Sequence, residues 1–170
     1  MPATIQTALL RATPEWRAQT MRPARRTSAV SYVAPRPAPA ALEAELISTE
    51  TAFAALAGEW NRLAAEVPDA CLAQGFAWCW AGWCSTGRPR GRRLAVITVR
   101  EAGRLVLVWP MAQRGRGLLA ELIPLGSEAT DYNPLLVARS LRAETYVRAA
   151  VALMQHETEA GLVTMPLVRD

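Results

Sequence analysis

The chain contains no lysine, one histidine and only three cysteines among its 170 residues. Without lysine there is no Walker-type phosphate loop, because that motif uses a lysine to reach the nucleotide phosphates. The cysteines, Cys71, Cys79 and Cys84, form no CxxC pair and lie far in sequence from His156. This spacing offers neither a disulfide framework nor a zinc ligand set, so we expect no metal site.

Long apolar runs are also missing. No stretch approaches the ~18 apolar residues that a transmembrane helix needs. The first residues lack the basic and then apolar regions of a secretory signal. We therefore expect no membrane span and a cytoplasmic location. The hydrophobic share of 51% and the charged share of 20% are typical of a globular domain.

The net charge of +4 is unevenly distributed. Residues 1–40 hold six arginines and one acidic residue, whereas residues 41–170 hold thirteen arginines and fourteen acidic residues. A folded nucleic-acid-binding domain concentrates its basic residues on one structured face, so we expect no nucleic-acid partner. Residues 1–40 also contain six prolines and no glycine. We predict a disordered arm over 1–38 and one domain over 39–170.

Apolar spacing predicts three helices. The first begins after Ser48 or Thr49, which are favoured N-cap residues, and ends before Pro68. The second is predicted over 72–84 and the third over 140–160. The residues expected on the buried faces follow helical spacing: Phe53, Leu56, Trp60, Leu63 and Val67, then Phe76, Trp80 and Trp83, then Leu141, Tyr146, Ala150, Leu153 and Met154.

Elsewhere the pattern changes to short apolar runs bounded by turns. A hairpin turn is predicted at 101–104. Pro110 cannot donate a ladder hydrogen bond, so we expect a sheet edge or a bulge at that position. The order of elements predicts an α+β (mixed α/β) fold with a largely antiparallel sheet flanked by helices. The predicted strands span 41–47, 94–100, 105–112, 118–125, 135–137 and 162–168.

The turn formed by Arg114, Gly115, Arg116 and Gly117 is a candidate coenzyme A site. It resembles the Arg/Gln-x-x-Gly-x-Gly/Ala loop of GNAT acetyltransferases, whose backbone N–H groups bind a pyrophosphate. Leu119 stands where that loop needs a small residue, since a Cβ obstructs the approach to the phosphates. The alternative is a hairpin turn, which requires only the two glycines, and we favour that interpretation.

Asp131 and Tyr132 are the candidate catalytic residues. They lie in a loop after a strand, where functional groups often project. Asp131 could orient a group or accept a proton, and Tyr132 could donate one. The alternative is that Asp131 and Asn133, placed before Pro134, only favour a turn. We interpret the cysteines as small buried hydrophobic residues and His156 as a solvated residue of the last helix.

The order of these segments resembles a known family. Three stretches carry the resemblance: FAALAGEWNRLAAEVPDACLAQGFAWCWAGW, RLAVITVREAGRLVLVWPMAQRGRG and LIPLGSEATDYNPLLV. Across about 42–168 they look like the N-terminal half of CelD-type (cellulose-biosynthesis-associated) acetyltransferases of the GNAT superfamily. Those proteins are similar in build to FemAB-type transferases, which have two GNAT-like halves in tandem. The resemblance implies a GNAT-like half-domain over 39–170.

The resemblance also implies a chemistry. In the full-length family it is acetyl-CoA-dependent transfer to an amine or hydroxyl of a polysaccharide or cell-envelope precursor. The acyl-CoA chemistry is associated with the second half, and this chain ends after what resembles the first. We therefore expect a missing second half or partner subunit, and no activity of the chain alone. Two alternatives stay open: a non-catalytic half-domain that packs against a partner, and a small complete GNAT enzyme that uses Arg114–Gly117 as its phosphate loop.

Overall fold

The structure, a computed structural model, describes residues 41–129, 133–158 and 160–164. The predicted arm at 1–38, the pair Asp131 and Tyr132, and residues 165–168 of the last predicted strand lie outside that part of the chain. Within it, helices cover both faces of one sheet, with three α-helices on one face and one on the other. No helix in the described ranges is long and apolar enough to cross a membrane.

The sheet has the strand order β1-β2-β3-β4-β6, and β5 pairs with β3 beside β4. Every pairing is antiparallel except that of β4 with β6. The predicted fold class, α+β with a mostly antiparallel sheet flanked by helices, is therefore confirmed. The elements are β1 (Leu42–Ile47), α1 (Glu50–Ala55), α2 (Ala57–Glu66), α3 (Phe76–Gly82), β2 (Arg93–Glu101), β3 (Arg104–Arg114), β4 (Glu121–Pro124), β5 (Leu136–Val137), α4 (Ala143–Glu157) and β6 (Leu162–Val163).

The first two predicted helices form with interruptions. Thr49 caps α1, and its Oγ1 accepts a hydrogen bond from Ala52 N at 3.3 Å. At Leu56 the backbone N–H bonds to the carbonyl of Phe53, an i to i−3 bond, and separates α1 from α2. The second predicted helix begins as a 3₁₀ turn at Leu72–Gln74 and, after α3, ends as a π-helical turn at Trp83–Gly87.

The core lies in two layers, because successive side chains of β2 and β3 point to opposite faces of the sheet. In the layer under α1–α3, Phe53 and Trp60 have no exposed surface and Trp83 is buried, as predicted. In the layer under α4, Tyr146, Ala150 and Met154 are buried, as predicted.

The prediction for Leu141 was wrong, since its side chain is fully exposed. The reason is where the helix begins. The α-helix starts only at Ala143, and Arg142 N donates to Ser140 Oγ at 3.0 Å in a turn before it. Leu141 therefore does not share the helical phase of the buried residues.

Pro110 lies in the central strand β3, so the expectation of an edge or a bulge there was wrong. On one side β3 pairs first with β5, at Leu107–Val108, and then with β4, from Met111 onward. Pro110 falls in the gap between these two neighbours, and its carbonyl accepts from Leu125 N at 3.0 Å. Because N and O of one residue in an antiparallel strand point the same way, the position without an N–H faces Leu125 and not β2, so the β2–β3 ladder loses no bond.

Candidate functional site

The predicted phosphate loop forms the turn between β3 and β4. Arg114 pairs with Glu121 across the antiparallel strands, and a 3₁₀ turn at Gly117–Leu119 replaces the start of the predicted strand over 118–125. Gly115 has a φ of +74°, and a Cβ on it would overlap the carbonyl oxygen of Leu119. Gly115 is therefore required by the turn itself, which agrees with the hairpin interpretation.

Arg114 has a partner inside the protein. Its Nε lies 2.5 Å from Oε2 of Glu121, a carboxylate that is 9% exposed. The hydroxyl of Thr164 also donates to this carboxylate. The hydrogen bond from Thr164, and then that from Arg114, hold the pKa of Glu121 below its ordinary value. Arg114, whose side chain is 57% exposed, thus stabilises a buried acid, and Arg116 and the two turn glycines are also exposed to solvent.

The candidate catalytic residues Asp131 and Tyr132 lie outside the described residues, and their role stays a prediction. Before these residues, the backbone at Gly126 packs closely against the Trp78 side chain. A Cβ on Gly126 would lie 2.7 Å from Trp78 Nε1. On the other side, Asn133 Oδ1 accepts from Leu135 N at 3.0 Å. This local turn is the kind that the Asn–Pro sequence favours.

The cysteines divide into three environments. Cys79 is buried as predicted, and burial raises the pKa of its thiol to about 12, so it stays protonated. The interpretation as a buried residue is wrong for Cys71, which is exposed, and Cys84 is only half-buried. His156 is exposed in the last turn of α4, as predicted. Among the described residues no group of three or more His, Cys, Asp or Glu side chains could hold a metal ion.

A cavity that the sequence did not predict opens at one end of the sheet. Its volume is about 510 Å³, and it lies where β1 ends, β2 begins, β3 ends and α4 ends. The apolar part of its wall includes Leu46, Leu94 and the Trp83 side chain. The polar part of the wall consists of Glu50, Arg92, Arg93, Gln113, Glu157 and Thr158.

Gln113 is the notable member of this wall. Its side chain is 7% exposed, and its Nε2 has no hydrogen-bond acceptor. Buried polar atoms normally have a partner, since an unmade hydrogen bond costs folding free energy. The residue lies directly opposite Arg93 across the β2–β3 pair. Its position in the alternation of β3, two residues after the buried Met111, was the signal that could have identified it.

Two arginines, Arg92 and Arg93, line the cavity, and others lie at the same end of the sheet. The turn before β2 carries Arg88, which pairs with Glu50 at 3.3 Å, and Arg90 and Arg92, which share the carboxylate of Glu128. We call this region the arginine-rich end of the sheet. It comprises Arg88, Arg90, Arg92, Arg93, Arg114 and Arg116 together with Glu50, Glu121, Glu128 and Glu157.

The hydrogen bonds of Glu50 hold the cavity wall in place. Its Oε1 accepts from Trp83 Nε1 at 3.0 Å, while Oε2 faces Arg88. The first residue of α1 is thereby tied to the π-helical turn. Beside the cavity, Arg90 and Arg92 share the single carboxylate of Glu128, so positive charge exceeds negative charge on that side, which favours a ligand that carries negative charge.

Compared with known proteins, the chain matches no family model, no curated sequence and no solved structure. The topology of the sheet and the chemistry of its arginine-rich end are therefore the features that bear on its function.

Proposed function

We propose that this domain is a GNAT-like acyltransferase half that acts together with a second GNAT-like half. The donor is acetyl-CoA, and the acceptor is an amine or hydroxyl of a polysaccharide or cell-envelope precursor. The sequence resemblance motivates the chemistry. The sheet topology supports the choice of fold family.

The observation that carries the proposal is the parallel pair β4 and β6. It pairs Glu121 with Leu162 and Leu122 with Val163, and α4 lies in the connection between the two strands. GNAT-type transfer needs two neighbouring strands that separate, so that the pantetheine arm can lie between them. A parallel pair joined through a helix, beside the antiparallel strands β1–β4, supports a GNAT-like topology for this half. We expect the donor itself to bind only when the second half is present.

The contacts of the 114–117 turn favour a role for it in folding over a role in binding the donor. Arg114 is paired with the buried Glu121, and Gly115 is required for the contact with Leu119. A phosphate that recruited Arg114 would leave a buried carboxylate without its cation, which opposes binding. We therefore expect weak or no binding of the donor at this turn.

The experiment is isothermal titration calorimetry with acetyl-CoA. It is done with the chain alone and with a second GNAT-like half cloned from the same locus. We expect no binding tighter than ~100 μM, about −5.5 kcal/mol, for the chain alone. With both halves and an amine or hydroxyl acceptor we expect binding and release of the coenzyme A thiol.

Two turn variants identify the contribution of the 114–117 turn. Gly117→Val and Gly103→Val introduce the same strain, since both glycines have positive φ with open space around the Cβ position. Gly103 lies in the turn at the other end of the sheet. If the chain alone binds acetyl-CoA tightly and only Gly117→Val abolishes this, the chain is a complete small acetyltransferase and the proposal is wrong. A locus without a second half would equally contradict it.

A second candidate is a packing module without catalysis. It is favoured by Leu119 and Leu162, which are 85% and 59% exposed beside β4 and on β6. β6 is the last strand in the sheet order, so a partner could extend or cover the sheet there. Stable association with the second half, but no binding of acetyl-CoA and no thiol release by the pair, would support this candidate over acyl transfer.

A further inference from the structure

We propose that the cavity at the arginine-rich end binds a small carboxylate that also carries an amine or a hydroxyl group, that is, an amino acid or a hydroxy acid. The inference does not depend on acyl transfer, because binding of such a ligand to the cavity can be measured without coenzyme A. Three features of the cavity wall carry it: an unmatched donor, a positive side and an acceptor side.

The unmatched donor is the side-chain amide of Gln113. Its Nε2 lies almost wholly inside the protein and has no acceptor. The amide lines the cavity, and rotation about its last torsion angle is soft, so a small turn presents an N–H to the cavity. A ligand oxygen placed there would make the hydrogen bond that the protein itself leaves unmade.

The positive side is formed by the start of β2. Arg92 lines the cavity with a largely buried side chain, and it shares Glu128 with Arg90, so two guanidinium groups face one carboxylate. Arg93 also lines the cavity, opposite Gln113, and already interacts with another group of the protein. A negatively charged oxygen ligand is favoured here, since guanidinium groups form strong charge-assisted hydrogen bonds with carboxylates.

The acceptor side is formed by the end of α4. Glu157 and Thr158 line the cavity there, and the last carbonyls of a helix carry partial negative charge. These groups accept hydrogen bonds from an amine or a hydroxyl. They also disfavour a phosphate, because its charge of about −2 would lie at the negative end of a helix. The carboxylate of Glu50 is less available, because Trp83 and Arg88 already donate to it.

The cavity volume of about 510 Å³ is within the range of small-molecule sites. Its apolar wall, which includes Trp83 and Leu94, can cover the carbon skeleton of such a ligand. A carboxylate at Gln113 and the arginines, with an amine or hydroxyl toward Glu157, satisfies both polar sides at once.

The experiment is ligand-observed NMR combined with thermal shift on the full chain. The probes are the standard L-amino acids, L-lactate and L-malate, each compared with its carboxamide, and inorganic phosphate. We expect at least one carboxylate to bind and to raise the melting temperature, and its carboxamide to bind at least tenfold more weakly. Failure of the whole panel, equal binding of acids and amides, or tighter binding of phosphate would overturn the proposal.

Variants locate the binding to the cavity. Gln113→Met keeps the length of the side chain but removes the donor, and Gln113→Glu places a negative charge there. Both should weaken binding of the carboxylate at least tenfold, and the second keeps the test valid if the first does not fold. Arg104→Met, at an exposed arginine outside the cavity, is the matched control and should bind normally. Unchanged binding by both Gln113 variants would contradict the site.

Discussion

The two ends of the sheet differ in how their charges are matched. At the end that contains the 101–104 turn, which we call the matched end, Arg100 pairs with Glu59 and Arg104 with Glu66, so α2 is tied to the strands. At the arginine-rich end, Gln113 Nε2 lacks an acceptor, and Arg90 and Arg92 share the single carboxylate of Glu128. One end therefore holds elements together, while the other keeps polar groups that a ligand can satisfy.

The matched end also fixes α4. Glu101 accepts a hydrogen bond from Tyr146 Oη at 2.6 Å and forms an ion pair with Arg142. Tyr146 is 2% exposed, and its hydroxyl also lies within hydrogen-bond distance of Ser140 Oγ, at 3.3 Å. Ion pairs at the surface contribute little to stability, whereas a buried hydroxyl bonded to a carboxylate contributes more. The difference between the ends can be tested by substitutions, starting from the core that both share.

The largest effect is expected for Trp60→Ala, which sets the scale for both ends. Trp60 has no exposed surface, and its Nε1 donates to Gln74 O at 2.7 Å. We expect a loss of about 3–5 kcal/mol in the free energy of unfolding, measured by urea denaturation. The control is Leu72→Ala, at a residue that is 75% exposed, where the change should stay within about 0.5 kcal/mol. A loss below about 1 kcal/mol for Trp60→Ala would contradict the burial.

The next effect compares the turns at the two ends. Gly103→Ala places a Cβ in open space at positive φ and should cost about 1 kcal/mol. Gly115→Ala has the same strain, and its Cβ also overlaps the carbonyl of Leu119. We expect a loss of about 2–4 kcal/mol in the same denaturation experiment. Equal losses would show that the 115–120 turn can relax around a side chain.

A pair of substitutions removes one polar group from each end. Tyr146→Phe leaves Glu101 without its hydroxyl donor and should cost about 1.5–3 kcal/mol. Gln113→Met removes a donor that has no acceptor, so stability without ligand should stay the same or rise by up to about 1 kcal/mol. Thermal and urea unfolding of both variants measure this. A loss for Gln113→Met as large as that for Tyr146→Phe would abolish the distinction between the ends.

The smallest effect is a dependence on pH. Hydrogen bonds from Thr164 and then Arg114 hold the pKa of Glu121 below its ordinary value, and the pKa of Glu59 is lowered chiefly by its hydrogen bond with Arg100. A carboxyl group whose pKa is lowered in the folded state stabilises the fold at pH values above its ordinary pKa. That contribution is lost as pH falls through the folded-state value. In the wild type, the stabilisation that each of these two acids contributes should therefore be lost as the pH falls below about 4.5.

Urea denaturation between pH 7 and pH 3 tests this dependence, with Glu121→Gln and Glu59→Gln as the variants. Each variant should lose part of the decline in stability at low pH. The effect of Glu121→Gln should be the larger, since the side chain of Glu121 is 12% exposed whereas that of Glu59 is 34% exposed. The same decline in Glu121→Gln as in the wild type would show that Thr164 and Arg114 do not hold a charged carboxylate.

The sequence alone predicted the periodic features of the fold. The spacing of Phe53, Leu56, Trp60 and Leu63 identified a buried helical face, although it did not predict the break between α1 and α2. The turn at 101–104 and the order of helices and strands followed from local composition. Such features depend on neighbours within a few residues, which is why a sequence contains them. The resemblance to CelD-type acetyltransferases stays a prediction.

Only the tertiary structure decided the features that depend on distant partners. Pro110 is tolerated in a central strand because β5 ends and β4 begins beside it. Gln113 belongs to a cavity because the ends of β1, β3 and α4 meet the start of β2, at positions far apart in the chain. Glu121, at the start of β4, likewise joins Arg114 at the end of β3 to Thr164, which follows β6. Local spacing has no information about which ends meet, since that is set by the packing of whole elements.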